Sequence, residues 1–137
     1  MKKLIILIPI VTTLIFANCS NDGDTIYKQG RTLYARHCAN CHQENGEGLR
    51  GLVPPIAKAD YLSTHRADLP CIIRGGLKGV VIVNGVTYGA QEMQAFPNFT
   101  EFEVANILNY ISTNLGNSEK IWTTEEVREG FKKCTEK

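Results

Sequence analysis

Cys38-Ala39-Asn40-Cys41-His42 decides how this chain is read. Two cysteines separated by two residues and followed at once by histidine form the C-x-x-C-H attachment sequence of c-type haem. The spacing has a chemical reason. Thiols so placed reach the two vinyl groups on one edge of a porphyrin, and the adjacent histidine then lies under the iron as its proximal ligand. Two other uses of paired cysteines fit less well. A thioredoxin-like C-x-x-C follows a strand inside a βαβ pattern, whereas the residues before Cys38 read as helix. A zinc site needs a second ligand pair at a suitable spacing, and Cys71 and Cys134 each stand without a neighbouring cysteine or histidine.

Outward from the motif, the pattern predicts a helix over about residues 26–38, capped by Asp24 or Thr25. Ile26, Gly30, Leu33, Tyr34 and His37 fall near one face at helical spacing, and Gly30 next to Tyr34 leaves a notch for a crossing helix. After His42 comes a glycine-rich turn, residues 43–51, and then Leu52-Val53-Pro54-Pro55-Ile56, which is apolar and not helical. Helix, C-x-x-C-H, glycine-rich loop and proline-containing apolar segment together make the chain resemble a bacterial class I cytochrome c over about residues 26–115. That resemblance implies an all-α fold around one covalent haem c. It also implies that a proline carbonyl after the loop accepts a hydrogen bond from the proximal histidine, fixing its ring; Pro54 is the better match and Pro55 the alternative.

The whole chain has 137 residues and a formal net charge of +1. Its 43% hydrophobic and 21% charged content is that of one globular domain, which excludes disorder. A near-zero charge argues against nucleic-acid binding. Lys2 and Lys3 precede an apolar run, Leu4 to Ala17, that is short for a bilayer span but suits an export signal. Residues 1–18 are therefore expected to be a signal peptide. Cys19 follows directly, and here the sequence resembles a bacterial lipoprotein precursor, in which such a cysteine is acylated and becomes the first residue. Asn18 and bulky Phe16 depart from that family's pattern. Residues 19–25 would be a tether, and the protein is expected on the periplasmic side of the envelope, lipid-anchored to a membrane. Without residues 1–18 the chain keeps 119 residues, and 13 of its 15 basic residues stand against 14 acidic ones.

The iron's other axial ligand decides the function, because a thioether there raises the potential and favours electron transfer. Past the signal the only methionine is Met93, in a polar stretch ending Phe96-Pro97, where the cytochrome family places its ligand. His65 is the competitor, but it lies among polar residues. His37 neighbours Cys38 on the first helix and is excluded on geometry. Thr100 and Glu103 form a capping box for a closing helix over residues 100–111, with Phe102, Ala105, Ile107, Leu108, Tyr110 and Ile111 as its apolar face and Gly116 as its stop. Before Met93, two β-rich runs flank Asn84-Gly85, predicting a hairpin insertion.

Cys71 follows Pro70 in a short helix capped by Asp68 or Leu69 and stopped at Gly75. Val127, Phe131 and Cys134 repeat at helical spacing in a last helix capped by Thr123 or Thr124. In an oxidising compartment these two thiols are expected to pair. A Cys71–Cys134 bridge would pin an extension, residues 117–137, onto a haem domain of residues 26–116, with Trp122 as an anchor. Its chain-entropy contribution is roughly 4 kcal/mol. Arg74, with Lys78 as a weaker candidate, is expected to meet the haem propionates.

These features point to an electron carrier rather than an enzyme. It would pass single electrons from a quinol-oxidising complex or dehydrogenase to a terminal oxidase or reductase, a partner list that follows from the resemblance. The alternatives are a haem enzyme or gas sensor with an open sixth site, and a fixed electron-port subunit of a larger oxidoreductase.

Overall fold

The computed structural model describes residues 22–117 and 120–134. The expected signal segment, Cys19 and the first tether residues lie outside the described residues. Among the described residues six helices follow in order: α1 (Asp22–His37), α2 (Ala39–His42), α3 (Asp60–Thr64), α4 (Leu69–Gly75), α5 (Glu101–Asn114) and α6 (Thr124–Lys133). A 3-10 turn, Arg66–Asp68, joins α3 to α4, and an antiparallel hairpin, β1 (Val81–Val83) with β2 (Val86–Tyr88), separates α4 from α5. The class is thus mostly helical with a small hairpin, as expected. Asp24 and Thr25 lie inside α1 rather than at its cap, so residues 22–25 are helix and not tether.

α1 and α5 cross at Gly30. A Cβ there would lie 2.2 Å from the Asn106 carbonyl oxygen and 3.0 Å from the Tyr110 Cβ, so only glycine admits this approach. One turn on, the Tyr34 and Tyr110 rings meet at 5.2 Å. Tyr34 is buried, and its hydroxyl donates to the Gln43 carbonyl at 2.6 Å, tying α1 to the loop after the cysteine motif. α5 buries Val104, Ala105, Ile107, Leu108 and Ile111. Phe102, expected on that face, is 49% exposed. It lies in the first turn of α5, on the side of buried Asn106 and Asn109 and about half a turn from Val104 and Ile111.

The closing helix starts where its capping box predicts, with Thr100 accepting from the Glu103 N–H and the Glu103 carboxylate accepting from Thr100. Thr123 and Glu126 make the same box for α6. Asn84 and Gly85 both take positive φ, the conformation that suits a two-residue hairpin turn. The hairpin is fastened to α3 by a reciprocal pair: Asn84 N–H donates to the Asp60 carboxylate at 2.7 Å, and Asp60 N–H donates to the Asn84 side-chain oxygen at 3.0 Å.

The extension is not a separate layer. Trp122, Val127 and Phe131 share one core with Tyr34, Leu62, Ile73, Val83 and Leu108. Asn109 holds Trp122 by its backbone on both sides, donating to its carbonyl at 3.0 Å and accepting its N–H at 2.7 Å. The Arg66 guanidinium covers the indole at 3.8 Å. Cys71 of α4 and Cys134, just past α6, form a disulfide.

Gly30→Ala is expected to lower stability by about 3 kcal/mol, the upper end for overpacking against rigid backbone, as read by chemical denaturation. Backbone and hydroxyl hydrogen bonds from Thr100 hold the Glu103 carboxyl below its usual 4.5. A lowered folded-state pKa stabilises above the unfolded value and is lost as pH falls through the folded one. Stability should therefore drop as the pH falls below about 4.5, and less steeply in Glu103→Gln when denaturation is followed on acidification.

Candidate functional site

The chain between α1 and α4 brings the motif residues into one place. α1 ends at His37, and Cys38 N–H still donates to the Tyr34 carbonyl at 2.8 Å. The backbone then restarts as the single-turn helix α2, in which His42 N–H donates to Cys38 at 2.9 Å. This break at Cys38 is not visible in the helical pattern, which runs on through the motif.

Cys38, Cys41, His42 and Met93 all line a cleft of about 210 Å³. Val53, Pro54, Leu77, Val81, Tyr88 and Phe96 complete its mostly apolar wall. Cys38 and Cys41 are both unbridged. Burial, with a smaller effect of Cys41, pushes the Cys38 thiol up to about 12. A nucleophilic redox cysteine needs the opposite shift, so the thioredoxin-like alternative finds no support.

His42 is held by its own loop. Its Nδ1 lies 3.1 Å from the Pro54 carbonyl oxygen, so Nδ1–H donates there and Nε2 is left free to ligate. Burial lowers the His42 pKa, with the Pro54 bond opposing it; the neutral ring favoured by burial is the form that binds metal. Pro54 is delivered by a tight loop. Gly48 N–H donates to the His42 carbonyl at 2.9 Å, and Leu49 N–H donates to the Val53 carbonyl at 3.0 Å. A Cβ on Gly48 would lie 2.4 Å from the Val53 oxygen and 2.7 Å from the Pro54 oxygen, and φ there is +68°.

Met93 arrives from the far side of the sequence. It forms an isolated antiparallel bridge with Leu77, with N–H to carbonyl distances of 2.9 and 3.1 Å. Phe96 N–H donates to Ile73 at 3.1 Å. Phe96 and Phe99 stack on each other, and both meet the His37 ring nearly at right angles, with ring centroids at 5.9 and 5.1 Å. His37 therefore borders the cleft as a packed ring.

Other expectations fall elsewhere. His65 is exposed, stacks on Tyr61 at 3.9 Å and does not line the cleft. Arg74, expected at the propionates, lies over the Phe131 ring at 4.3 Å instead. It sits three residues after Cys71, so both face α6. Lys78 is exposed and pairs with Glu92 at 3.6 Å, a contact worth little. Sequence reasoning missed Leu77, Val53 and Tyr88 as wall residues. The period-2 alternation of the hairpin was the available signal for Tyr88; the Leu77 bridge had none.

The donor set fits the group that C-x-x-C-H implies. Two thiols, one neutral imidazole and one thioether converge on a low-polarity cleft, and among the described residues no cluster of three or more histidine, cysteine or acidic residues offers a competing metal site.

Comparison with known proteins agrees. Residues 27–114 match the Cytochrome c family. Cytochrome c-552 of Thermus thermophilus is 36% identical over 108 residues, covering 72% of this chain and 81% of that protein. The cytochrome c subunit of a quinone alcohol dehydrogenase from Gluconacetobacter polyoxogenes is 28% identical over 103 residues, covering 74% of this chain but 22% of that subunit.

Gly48→Ala and Gly51→Ala both put alanine at positive φ, but a Cβ on Gly51 meets nothing within 4 Å. The Gly48 variant is expected to be less stable than the Gly51 variant by about 2 kcal/mol, the cost of crowding. Equal denaturation midpoints for the two would show that the Pro54 carbonyl is not tightly held.

Proposed function

Since this chain belongs to the cytochrome c family and carries one covalently bound haem c, we propose that it is a single-electron carrier of the bacterial cell envelope and not an enzyme. The observation that supports this most is the convergence of His42 and Met93 on the cleft that also holds Cys38 and Cys41. In this proposal Cys38 and Cys41 would hold the haem covalently, His42 and Met93 would ligate its iron, and the Pro54 carbonyl would orient His42. When bound, haem c supplies reversible ferrous–ferric chemistry. The chain's part would be to leave no ligand position for a substrate and to surround the site with mostly apolar side chains that exclude water. A thioether ligand and a low-polarity wall both favour the ferrous state and a raised potential.

Residues 1–18 are proposed to direct export, and Cys19 to carry the acyl chains that hold the domain at the membrane. Support for this is the order of basic residues, apolar run and cysteine. Partners are proposed to be other redox proteins. The quinone alcohol dehydrogenase subunits among the relatives favour a second reading, in which the domain is a fixed electron port of a larger complex.

A reduced-minus-oxidised visible spectrum with a potential titration tests the carrier reading. It should show one haem c titrating in a single one-electron wave, with no CO binding by the reduced protein. Met93→Ala should lower the midpoint and admit CO. Identical spectra and CO affinity in the two proteins would dispose of Met93 as ligand and favour an open sixth site. Co-purification of a dehydrogenase from detergent-solubilised membranes would favour the port over the shuttle.

A further inference from the structure

α6 lies outside the haem cleft, yet only one short helix separates it from Met93. On the α6 side of α4 the fit is close. A Cβ on Gly130 would lie 2.7 Å from Cγ of Pro70 and 2.9 Å from its Cβ. The Cys71–Cys134 bridge crosses the same contact, and the Cys71 sulfur sits 3.2 Å from the Gly130 carbonyl oxygen. Arg74 covers Phe131 beside it.

α4 and the two residues after it hold the methionine loop. The backbone bonds of Met93 and Phe96 outside their own loop end on Leu77 and Ile73. Gly76, with φ +77°, packs so near Met93 that a Cβ would lie 2.5 Å from the Met93 carbonyl oxygen. Residues 89–92 before Met93 form neither helix nor strand. Such a segment opens locally unless its backbone attachments are rigid. Those attachments sit on the last turn of α4, a helix of seven residues, and on the two residues that follow it.

We propose that α6 braces the sixth-ligand loop, with Gly130 and Cys134 as positioning residues that immobilise α4 and thereby keep the Met93 sulfur in the cleft. This rests on Met93 being the iron's ligand, as proposed above. The coupling is a series of direct contacts: α6 fixes Pro70 and Cys71, the helix carries that constraint to Ile73 and Gly76, and Ile73, Gly76 and Leu77 hold Met93 and Phe96. Its consequence is kinetic. Loosening α6 leaves the ligand set intact but makes the sulfur leave the iron more often.

The test uses the haem-loaded protein and two readouts: the sulfur-to-iron charge-transfer absorption of the ferric form, and the rate at which added imidazole displaces the sixth ligand. A Cys71→Ser/Cys134→Ser double variant removes the bridge. Gly130→Ala keeps the bridge and raises helix propensity but forces α6 away from Pro70, so it serves where the double variant fails to fold. Each is expected to speed imidazole binding about tenfold, a change of ~1.4 kcal/mol in the opening equilibrium. Gly116→Ala, strained by a φ of +74° at the far end of α5 from the methionine loop, is the control and should exchange near the wild-type rate. A wild-type protein without the charge-transfer band overturns the ligand assignment and the brace with it. A band that is present, with unchanged exchange in the folded variants or an equal rise in Gly116→Ala, overturns the brace alone.

Discussion

At Gly30 the backbone of α1 comes against the carbonyl of Asn106 on α5, closer than any side chain would permit. This crossing places the two ends of the site relative to each other. α1 delivers Cys38, Cys41 and His42 at its carboxy-terminal end. α5 begins just after the loop that carries Met93, Phe96 and Phe99. With the crossing fixed, both sets of residues line one cleft, and Tyr34 locks the arrangement by packing on Tyr110 and bonding to the Gln43 carbonyl. The buried face of α5 mixes apolar residues with Asn106, Asn109 and Ser112, and Asn106 also donates from its side chain to Gln29 across the crossing; at Gly30 the contact is with rigid backbone, so it tolerates little adjustment.

The two candidate axial ligands are supported in different ways. His42 is held within a short stretch of chain, by a loop whose glycine at 48 lets the Val53–Pro54 backbone approach closely and the Pro54 carbonyl reach the ring. Burial favours its neutral form and the Pro54 carbonyl sets its tautomer. Met93 depends on non-local contacts with Leu77, Gly76 and the Ile73 carbonyl. A locally closed loop around the histidine and a remotely supported methionine give the site one firm side and one adjustable side.

α4 links the cleft to the carboxy-terminal segment. It is bridged to α6 by a disulfide, contributes Leu69 and Ile73 to the common core, and supplies the backbone carbonyl that receives the Phe96 N–H. The segment after residue 116 therefore does more than cover the surface. Its Trp122, Val127 and Phe131 complete a core that a domain of this size fills sparingly.

Local chemistry was legible in the sequence. C-x-x-C-H marks the attachment site, Thr100 with Glu103 marks the start of the closing helix, and Asn84-Gly85 marks the hairpin turn, because each depends on residues a few positions apart. The pairing of Cys71 with Cys134 also followed, since both fall on apolar helix faces in a chain expected to be exported. Spatial neighbours were not legible. The pattern put Phe102 on the buried face and Arg74 at the haem, but packing turned Phe102 outward and placed Arg74 over Phe131. The sequence by itself determined the attachment motif, the helix caps and the turns, because short-range hydrogen bonding and thiol chemistry depend on residue type and spacing. Only the tertiary structure decided how Met93 is held and what α4 transmits, because those contacts join segments whose mutual distance is set by the α1–α5 crossing and the shared core.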